Sequence, residues 1–310
     1  RASKNNAASL LYIDKFNQKV KKDFNGTNIY LLVTGDITDC GAKLEFDYAN
    51  EYLKRIIKSL KIKKENILLI PGDHDINRKD IENLIHSKEN YSVEELNQTK
   101  FKNFKTFFKE LLDKEFDANK ILYDRITYED KFNLLGINSS YFVDLDNTEG
   151  KIDVEKFKTE LFESKNDTGL KNIICCHHNI TSLHEDKNSG QWNAENRLGF
   201  ISSLESNEIE FIFSGNEHTS GCKKTTGDII TISDAGALSS KKYDCAFKIY
   251  QIDETNSADI LLINHIYALQ KTGNNDDPYY WDKRDNSGAK QLEKFAISVA
   301  KPPTPEKQET

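Results

Sequence analysis

The chain has 310 residues, of which 37% are hydrophobic and 30% charged, and its formal net charge is -7. This length permits one large α/β domain or two modest ones, and it is ample for a buried core. No apolar run reaches the length of a membrane span, and no signal-peptide pattern opens the chain. The acidic net charge argues against nonspecific binding to nucleic acids and against binding to anionic membranes. It does not exclude a local basic groove.

The chain contains five cysteines, an odd number, and no spacing typical of a disulfide framework. We therefore expect reduced thiols and a cytoplasmic location. Cys175 and Cys176 are adjacent on a predicted buried strand, where their side chains should point to opposite faces. Methionine is absent even at position 1, so we expect further residues ahead of Arg1.

Helices and strands alternate through the first half of the chain, and the last third is mainly strands. The predicted helices span residues 7–22, 44–61, most of 78–118, 153–164 and 194–205. The predicted strands span residues 29–34, 66–70, 121–128, 132–138, 172–176, 209–214, 228–233, 245–252 and 258–268. This order predicts an α/β fold in which mixed β-sheets pack together and are flanked by helices.

The stretch 78–118 is highly charged and mostly helical by prediction. Ser92 is a plausible start for a helix that continues at Val93. Apolar side chains then recur at helical spacing, at Phe101, Phe104, Phe107, Phe108, Leu111 and Leu112. Core packing is the favoured interpretation of this stripe, and a lid or substrate wall is the alternative.

Metal-competent residues follow four of the predicted strands at the point where each strand ends. The four stretches are Gly35-Asp36, Gly72-Asp73-His74-Asp75, His177-His178-Asn179 and Gly215-Asn216-Glu217-His218. Each stretch alone has an ordinary explanation, such as helix capping, a satisfied core histidine or a turn. Because open α/β sheets bind ligands at the carboxyl edge, the four together argue against coincidence.

Carboxylates and imidazoles at strand ends are ligands for divalent ions such as Mn, Fe, Zn or Mg. In a two-metal site the ions stabilise the attacking and the leaving oxygen during an in-line displacement at phosphorus. A histidine beside the ions can then give a proton to the leaving oxygen. The residue types of the four stretches fit this chemistry.

The order of the four stretches resembles the calcineurin-like metallophosphoesterase superfamily over roughly residues 8 to 270. That superfamily carries Asp-x-His, Gly-Asp, Gly-Asn-His-Asp/Glu, a His after an apolar strand, and Gly-His-x-His, in that order. The resemblance implies a four-layer fold of packed mixed sheets and two divalent metal ions. It implies that Asp36 bridges both ions, that Asp73, His177 and Asn216 hold the second, and that His218 holds the first.

The same resemblance implies a metal-dependent phosphoesterase acting on a phosphodiester or phosphomonoester, with nucleotides among the candidate substrates. A hydroxide bridging the ions would attack phosphorus, His74 would be the proton donor, and Arg78 is a weaker candidate for binding the substrate phosphate. The alternative is a catalytically degraded module of the same fold that binds a partner or a phosphorylated ligand. The presence of His74 and His218 favours the enzyme.

Two departures from the superfamily pattern affect the metal site. Asp73 stands where Asn is usual and Asn216 where His is usual, which makes the site harder and favours Mn or Mg over Zn, with Mn the first choice. No Asp-x-His block precedes Gly35, so we expect an Asp, a His and one sheet strand to lie upstream of Arg1.

The domain organisation follows from these boundaries. We expect a phosphoesterase domain over residues 1–270 with a helical insert at 78–118, followed by a C-terminal extension at 271–300. The proline-rich stretch 301–310 is typical of a linker and predicts fusion to a further domain.

Overall fold

The computed structural model describes residues 6–24, 28–164, 169–181, 192–225, 229–238, 245–253, 259–273, 279–284 and 294–298. The helices are α1 (Asn6–Asp23), α2 (Lys43–Leu60), α3 (Arg78–Ser87), α4 (Val93–Lys100), α5 (Lys102–Leu112), α6 (Val154–Glu163) and α7 (Ala194–Ser206). The strands are β1 (Leu31–Val33), β2 (Ile67–Leu69), β3 (Leu122–Tyr128), β4 (Phe132–Ile137), β5 (Lys171–Cys175), β6 (Phe211–Ser214), β7 (Cys222–Lys224), β8 (Thr231–Asp234), β9 (Ala246–Asp253), β10 (Asp259–Lys271), β11 (Tyr279–Lys283) and β12 (Lys294–Ser298).

These strands form three sheets. β1 and β2 make a parallel pair. A six-stranded sheet has the order β3-β4-β5-β6-β8-β7, in which β4, β5, β6 and β8 are parallel and β3 and β7 are antiparallel to their neighbours. In the third sheet, β10 pairs antiparallel with β9, β11 and β12.

Alternating side chains along the strands build separate apolar layers, because successive residues of a strand point to opposite faces. Ile67 and Leu69 pack with the helices α1, α2 and α5. Leu68 packs in a second core between the sheets, and the opposite face of the six-stranded sheet packs on α6 and α7. The order is thus helices, sheets packed together, and helices, which confirms the predicted fold class.

The two adjacent cysteines lie in different layers. Cys175 belongs to the core between the sheets, whereas Cys176 belongs to the core beneath α6 and α7. Both are fully buried, and all five cysteines of the chain are free thiols. The prediction that their side chains point to opposite faces is confirmed.

The stretch 78–118 consists of the three helices α3, α4 and α5. The Ser92 side chain accepts a hydrogen bond from the Glu95 amide at 3.2 Å, which confirms it as the N-cap of α4. Phe101, Phe104 and Phe108 are at most 1% exposed in the main helical core. The apolar stripe of this stretch is therefore core packing, and the alternative of a lid or substrate wall is wrong for these side chains.

The chain beyond residue 270 contributes strands to the third sheet. β11 and β12 both pair with β10, so part of the stretch 271–300 continues a sheet that begins earlier in the chain. The predicted linker at 301–310 lies outside the described residues, as do residues 1–5. Among the helices that the structure describes, none has the length and apolar character needed to cross a membrane.

Candidate metal centre

The four metal-competent loops meet because the strands before them run parallel. Asp36 and Asp73 lie in the loops after β1 and β2, which are parallel, and His177 and Asn216 lie in the loops after the parallel strands β5 and β6. The amides of Gly215 and Asn216 donate to the His177 carbonyl oxygen at 2.9 and 3.1 Å. The β6 loop is thereby fixed on the β5 loop through the backbone.

Side chains from three of these loops converge on one point. His177 Nε2 lies 3.3 Å from Asp36 Oδ1 and 3.3 Å from Asp73 Oδ1. One ligand-type atom from each of Asp36, Asp73 and His74 lies within 4.8 Å of the others. The structure thus brings together four of the site residues predicted from the sequence.

A backbone carbonyl sets the orientation of the His177 ring. Its Nδ1 lies 2.7 Å from the carbonyl oxygen of Thr34, which can only accept a hydrogen bond. Nδ1 therefore carries a hydrogen, and Nε2 faces the two carboxylates. A neutral ring held in this way presents the Nε2 lone pair to a metal ion, as is usual for ligating histidines.

The buried atoms around this point fit a cation. His177 Nε2 and Asp73 Oδ1 are both buried, and neither makes a hydrogen bond within the described part of the chain. Burial lowers the pKa of His177, but the carboxylates of Asp36 and Asp73 outweigh it and raise that pKa to about 10. Burial opposes ionisation of Asp73, yet the facing His177 lowers the pKa of Asp73 well below its usual range. A positive charge is favoured at this position, and a divalent ion would supply it while displacing the proton.

Two glycines allow the loops to approach this closely. A Cβ atom on Gly72 would lie 2.4 Å from the amide nitrogen and from Oδ1 of Asp36. A Cβ atom on Gly35 would lie 2.5 Å from His177 Nδ1, and the φ of Gly35 is +93°. Both positions require glycine for steric reasons, which accounts for the glycine before each aspartate.

Asp75 is a structural carboxylate whose oxygens accept hydrogen bonds from the loops around it. It is fully buried and accepts hydrogen bonds from the Thr38 amide at 2.8 Å, the Thr38 hydroxyl at 3.0 Å and the Gly72 amide at 2.9 Å. The same Thr38 hydroxyl lies 2.9 Å from the carbonyl oxygen of His74, so its single hydrogen is shared between the two acceptors. These bonds join the β1 and β2 loops. The N-cap of α3 is Asn77, so Asp73, His74 and Asp75 are not that helix's capping residues.

His74 lies beside the cluster and is partly open to solvent. Its Nδ1 lies 2.8 Å from the Asp39 carbonyl oxygen, so Nδ1 is protonated and the ring is held by the β1 loop. Its amide donates to Asp36 Oδ1 at 3.2 Å. The remaining ring nitrogen is then available to exchange a proton with a bound molecule.

Three other predicted residues lie at the margin of the cluster. His218, whose φ is +55°, lines a large cavity together with Asp36, and it is outside the compact group formed by the described residues around Asp36. Asn216 is half-buried, and its backbone amide donates to the His177 carbonyl oxygen at 3.1 Å. Arg78 is the first residue of α3 and is half-buried, four positions after His74.

Sequence patterns alone did not assign roles to several supporting residues. The Ser139 hydroxyl accepts from the amides of His177 and His178 at 3.2 Å each, and it lies 2.9 Å from His178 Nδ1. Burial and the neighbouring His177 lower the pKa of His178 to about 3, so its ring stays neutral behind the cluster. Thr34 and Thr38 act through backbone and hydroxyl contacts, for which a single sequence carries no signal.

Comparison with known proteins agrees with this geometry. The profile of the calcineurin-like phosphoesterases matches residues 7–220, which is more than half of the chain. The uncharacterized metallophosphoesterase-like protein YydB of Bacillus subtilis (strain 168) is 29% identical over 181 residues, and the match covers 51% of this chain and 36% of YydB. This chain thus spans little more than a third of that relative.

Among solved structures, a putative 5'-nucleotidase from Staphylococcus aureus in complex with alpha-ketoglutarate is similar to this chain. The match has a TM-score of 0.41 and 10% identity, and it covers 94% of this chain and 49% of the other. A likeness of this size says nothing about activity. The family match includes all four loops, and the chain belongs to the calcineurin-like phosphoesterase family.

Proposed function

We propose that the intact protein is a metal-dependent phosphoesterase that hydrolyses a phosphodiester or a phosphomonoester. The convergence of His177 Nε2 on the carboxylates of Asp36 and Asp73, at 3.3 Å each, carries this proposal. Buried polar atoms without hydrogen bonds cost folding free energy unless a ligand or an ion satisfies them. Family membership supports a phosphoric ester as the substrate, and nucleotides are our first candidates.

Asp36, Asp73, His177 and Asn216 would hold the second ion, and Asp36 and His218 would contribute to the first. When bound, divalent ions neutralise charge on the phosphoryl oxygens and make a bound water acidic. We propose Mn²⁺ as the native ion, because carboxylate and amide oxygens dominate the set.

His74 would act as the proton donor to the leaving oxygen. The hydrogen bond from its Nδ1 to the Asp39 carbonyl fixes the ring, so that Nε2 is the nitrogen that would exchange a proton with the leaving oxygen. Arg78, at the first position of α3, would contact the substrate phosphate. These roles make His74 the group most sensitive to substitution in the chemical step.

We also propose that one more strand lies beside β1 in the intact protein. In the described structure β1 pairs with β2 and β9 pairs with β10, and a cavity of about 1270 Å³ lies between their other edges. Every residue of 28–37 and every residue of 246–252 lines this cavity. Consecutive lining residues mean that strand edges, rather than one face, border it.

The topology sets the direction of such a strand. α1 leads into β1, and a strand–helix–strand unit with parallel strands places both strand ends at the same sheet edge. A strand ahead of α1 would therefore end beside Asp36 and His218, where the expected Asp and His would complete the first metal site. Residues 1–310 should bind one Mn²⁺ per chain, and a version extended upstream should bind two, as counted by equilibrium dialysis. Equal stoichiometry in the two versions would contradict the added strand.

The hydrolytic proposal is tested with the full-length protein loaded with Mn²⁺. Turnover of bis(p-nitrophenyl) phosphate and p-nitrophenyl phosphate should fall about 10²- to 10⁴-fold in His74→Ala, the range expected for loss of a general acid. His86→Ala is the matched control, because His86 is exposed on α3, and its turnover should equal that of the wild type. Equal turnover in His74→Ala would exclude His74 as the proton donor.

A binding module with a degraded site is the second candidate, and the unusual Asp73 and Asn216 favour it. Asn216→His restores the residue type usual at this position. If this single change creates hydrolysis in a protein that otherwise has none, the natural sequence is an inactivated form. Turnover by the wild type would exclude this candidate.

A further inference from the structure

The loop between β6 and β7 has an unusual backbone at the position of a candidate ligand. His218 and Ser220 have φ values of +55° and +53°. Residues other than glycine adopt this left-handed conformation at a free-energy cost, so the surrounding structure must hold them there. The contacts of the loop therefore show what fixes the His218 backbone.

One buried carboxylate receives hydrogen bonds from both sides of His218. Asp234, the last residue of β8, is 2% exposed. Its Oδ1 accepts from the Ser214 hydroxyl at 3.0 Å and from the Glu217 amide at 3.4 Å, and its Oδ2 accepts from the Thr219 amide at 3.3 Å. The amides before and after His218 thus share one anchor.

A second anchor holds the far end of the same loop. The carbonyl oxygen of Gly221 accepts from the Asp234 amide at 2.9 Å and from Lys248 Nζ at 2.7 Å. Lys248 Nζ also donates to the Ser233 hydroxyl at 2.7 Å. The loop is therefore fixed at its start, around His218 and at its end by residues of β8 and β9.

We propose that Asp234 is a positioning residue for His218, holding the loop backbone so that the imidazole presents a nitrogen to the metal site. This inference rests on the proposed function, because it assigns His218 to a metal ion. Asp234 is buried at the end of β8 and is not part of the group formed by Asp36, Asp73 and His74 among the described residues. Its carboxylate is suited to this role because both oxygens accept hydrogen bonds and neither donates.

The test replaces Asp234 in the full-length protein by Asn, which has nearly the same shape but turns one acceptor oxygen into a donor. The affinity for the more weakly bound Mn²⁺ should fall about 10- to 100-fold, as for other residues that orient metal ligands. Asp124→Asn is the matched control, because Asp124 is a mostly buried carboxylate on β3 paired with Lys114. Its Mn²⁺ affinity should equal that of the wild type.

Amide hydrogen exchange measures, without any metal, whether Asp234 protects the Glu217 and Thr219 amides. Exchange of the Glu217 and Thr219 amides should be slow in the wild type and at least about tenfold faster in Asp234→Asn, while the amides of β5 are unchanged. Unprotected Glu217 and Thr219 amides in the wild type would overturn the proposal whatever the metal data show.

A double-mutant cycle separates positioning from general destabilisation. If Asp234 acts through His218, Asp234→Asn should have no further effect on Mn²⁺ affinity in a His218→Ala background. An equal loss in both backgrounds, or wild-type affinity in the folded Asp234→Asn protein, would overturn the positioning role. A wild type that binds no Mn²⁺ would overturn the proposed function together with this inference, whereas failure of the cycle alone would leave the proposed function standing.

Discussion

Two aspartates separated by one residue have opposite environments at this site. Asp73 Oδ1 is buried, faces His177 at 3.3 Å and makes no hydrogen bond among the described residues. Asp75 receives three hydrogen bonds from Thr38 and Gly72. Burial and the nearby Asp36 raise the pKa of Asp75. One carboxylate is therefore available to a metal ion, and the other is committed to joining two loops.

This difference predicts opposite effects of the same substitution. Asp73→Asn removes a negative charge from the candidate metal site and should weaken Mn²⁺ binding about tenfold or more. Asp75→Asn places a donor against donors and should lower the free energy of unfolding by about 1–3 kcal/mol. Mn²⁺ titration and urea unfolding of both variants check this, and a stable Asp75→Asn protein with lost metal affinity would reverse the assignment.

At the scale of elements, α4 is tied to the loop after β4 by a buried lysine. Lys100 Nζ donates to the carbonyl oxygens of Ser140, Tyr141 and Val143 at 3.0, 2.8 and 2.7 Å. The Lys100 carbonyl oxygen in turn accepts from the Asn77 amide at 2.9 Å. One residue of the helical stretch thus connects the loop that carries His74 with the loop that carries Ser139.

The same lysine should make stability depend on pH. Burial lowers the pKa of Lys100 to about 7, whereas a lysine in the unfolded chain titrates near pH 10.4. Between these values the unfolded chain holds a proton that the folded chain lacks, so stability rises with pH. The destabilisation by burial is fully present below about pH 7.

We expect the free energy of unfolding to rise from pH 7 to pH 9 by at most about 1.4 kcal/mol per pH unit relative to Lys100→Met. The measurement is urea unfolding of both proteins across this range, because the difference cancels other titrating groups such as Lys248. Parallel pH profiles for the two proteins would show that Lys100 does not titrate there.

The elements differ in how far their sequences predict them. The apolar stripe of α5 and the Ser92 cap are local patterns, so their structure follows from residues close in the chain. The role of Lys100 depends on three carbonyl groups some forty residues away, and nothing in its local sequence indicates this. The short strand β7 has two exposed residues of three, which leaves no apolar pattern to detect.

At the scale of the whole molecule, the candidate metal centre lies where two sheets meet. Asp36 and Asp73 follow the strands of the parallel pair β1–β2, whereas His177 follows a strand of the six-stranded sheet. The hydrogen bond from His177 Nδ1 to the Thr34 carbonyl joins residues 143 positions apart. The centre therefore forms only when both sheets have docked, and metal binding should stabilise that docking.

The sequence could predict which loops meet, because each follows an apolar strand and parallel strands end together. The local pattern alone could not predict which side chain within a loop faces the cluster, although the resemblance to the superfamily named Asp73 and His177. That choice separates Asp73 from Asp75, and His177 from His178, and it depends on donors such as Thr38 and Ser139 from other parts of the chain. The anchoring role of Asp234 was likewise hidden, because its partners lie on a different loop.

The most direct test of the central claim is anomalous diffraction from crystals of the full-length protein soaked in Mn²⁺. We predict an anomalous peak between Asp36, Asp73 and His177, with His177 Nε2 within bonding distance of it. The two carboxylates should then contact the ion in place of the imidazole proton. Well-ordered density for a direct His177–carboxylate pair at saturating Mn²⁺, with no anomalous peak there, would contradict the assignment of this cluster as a metal centre.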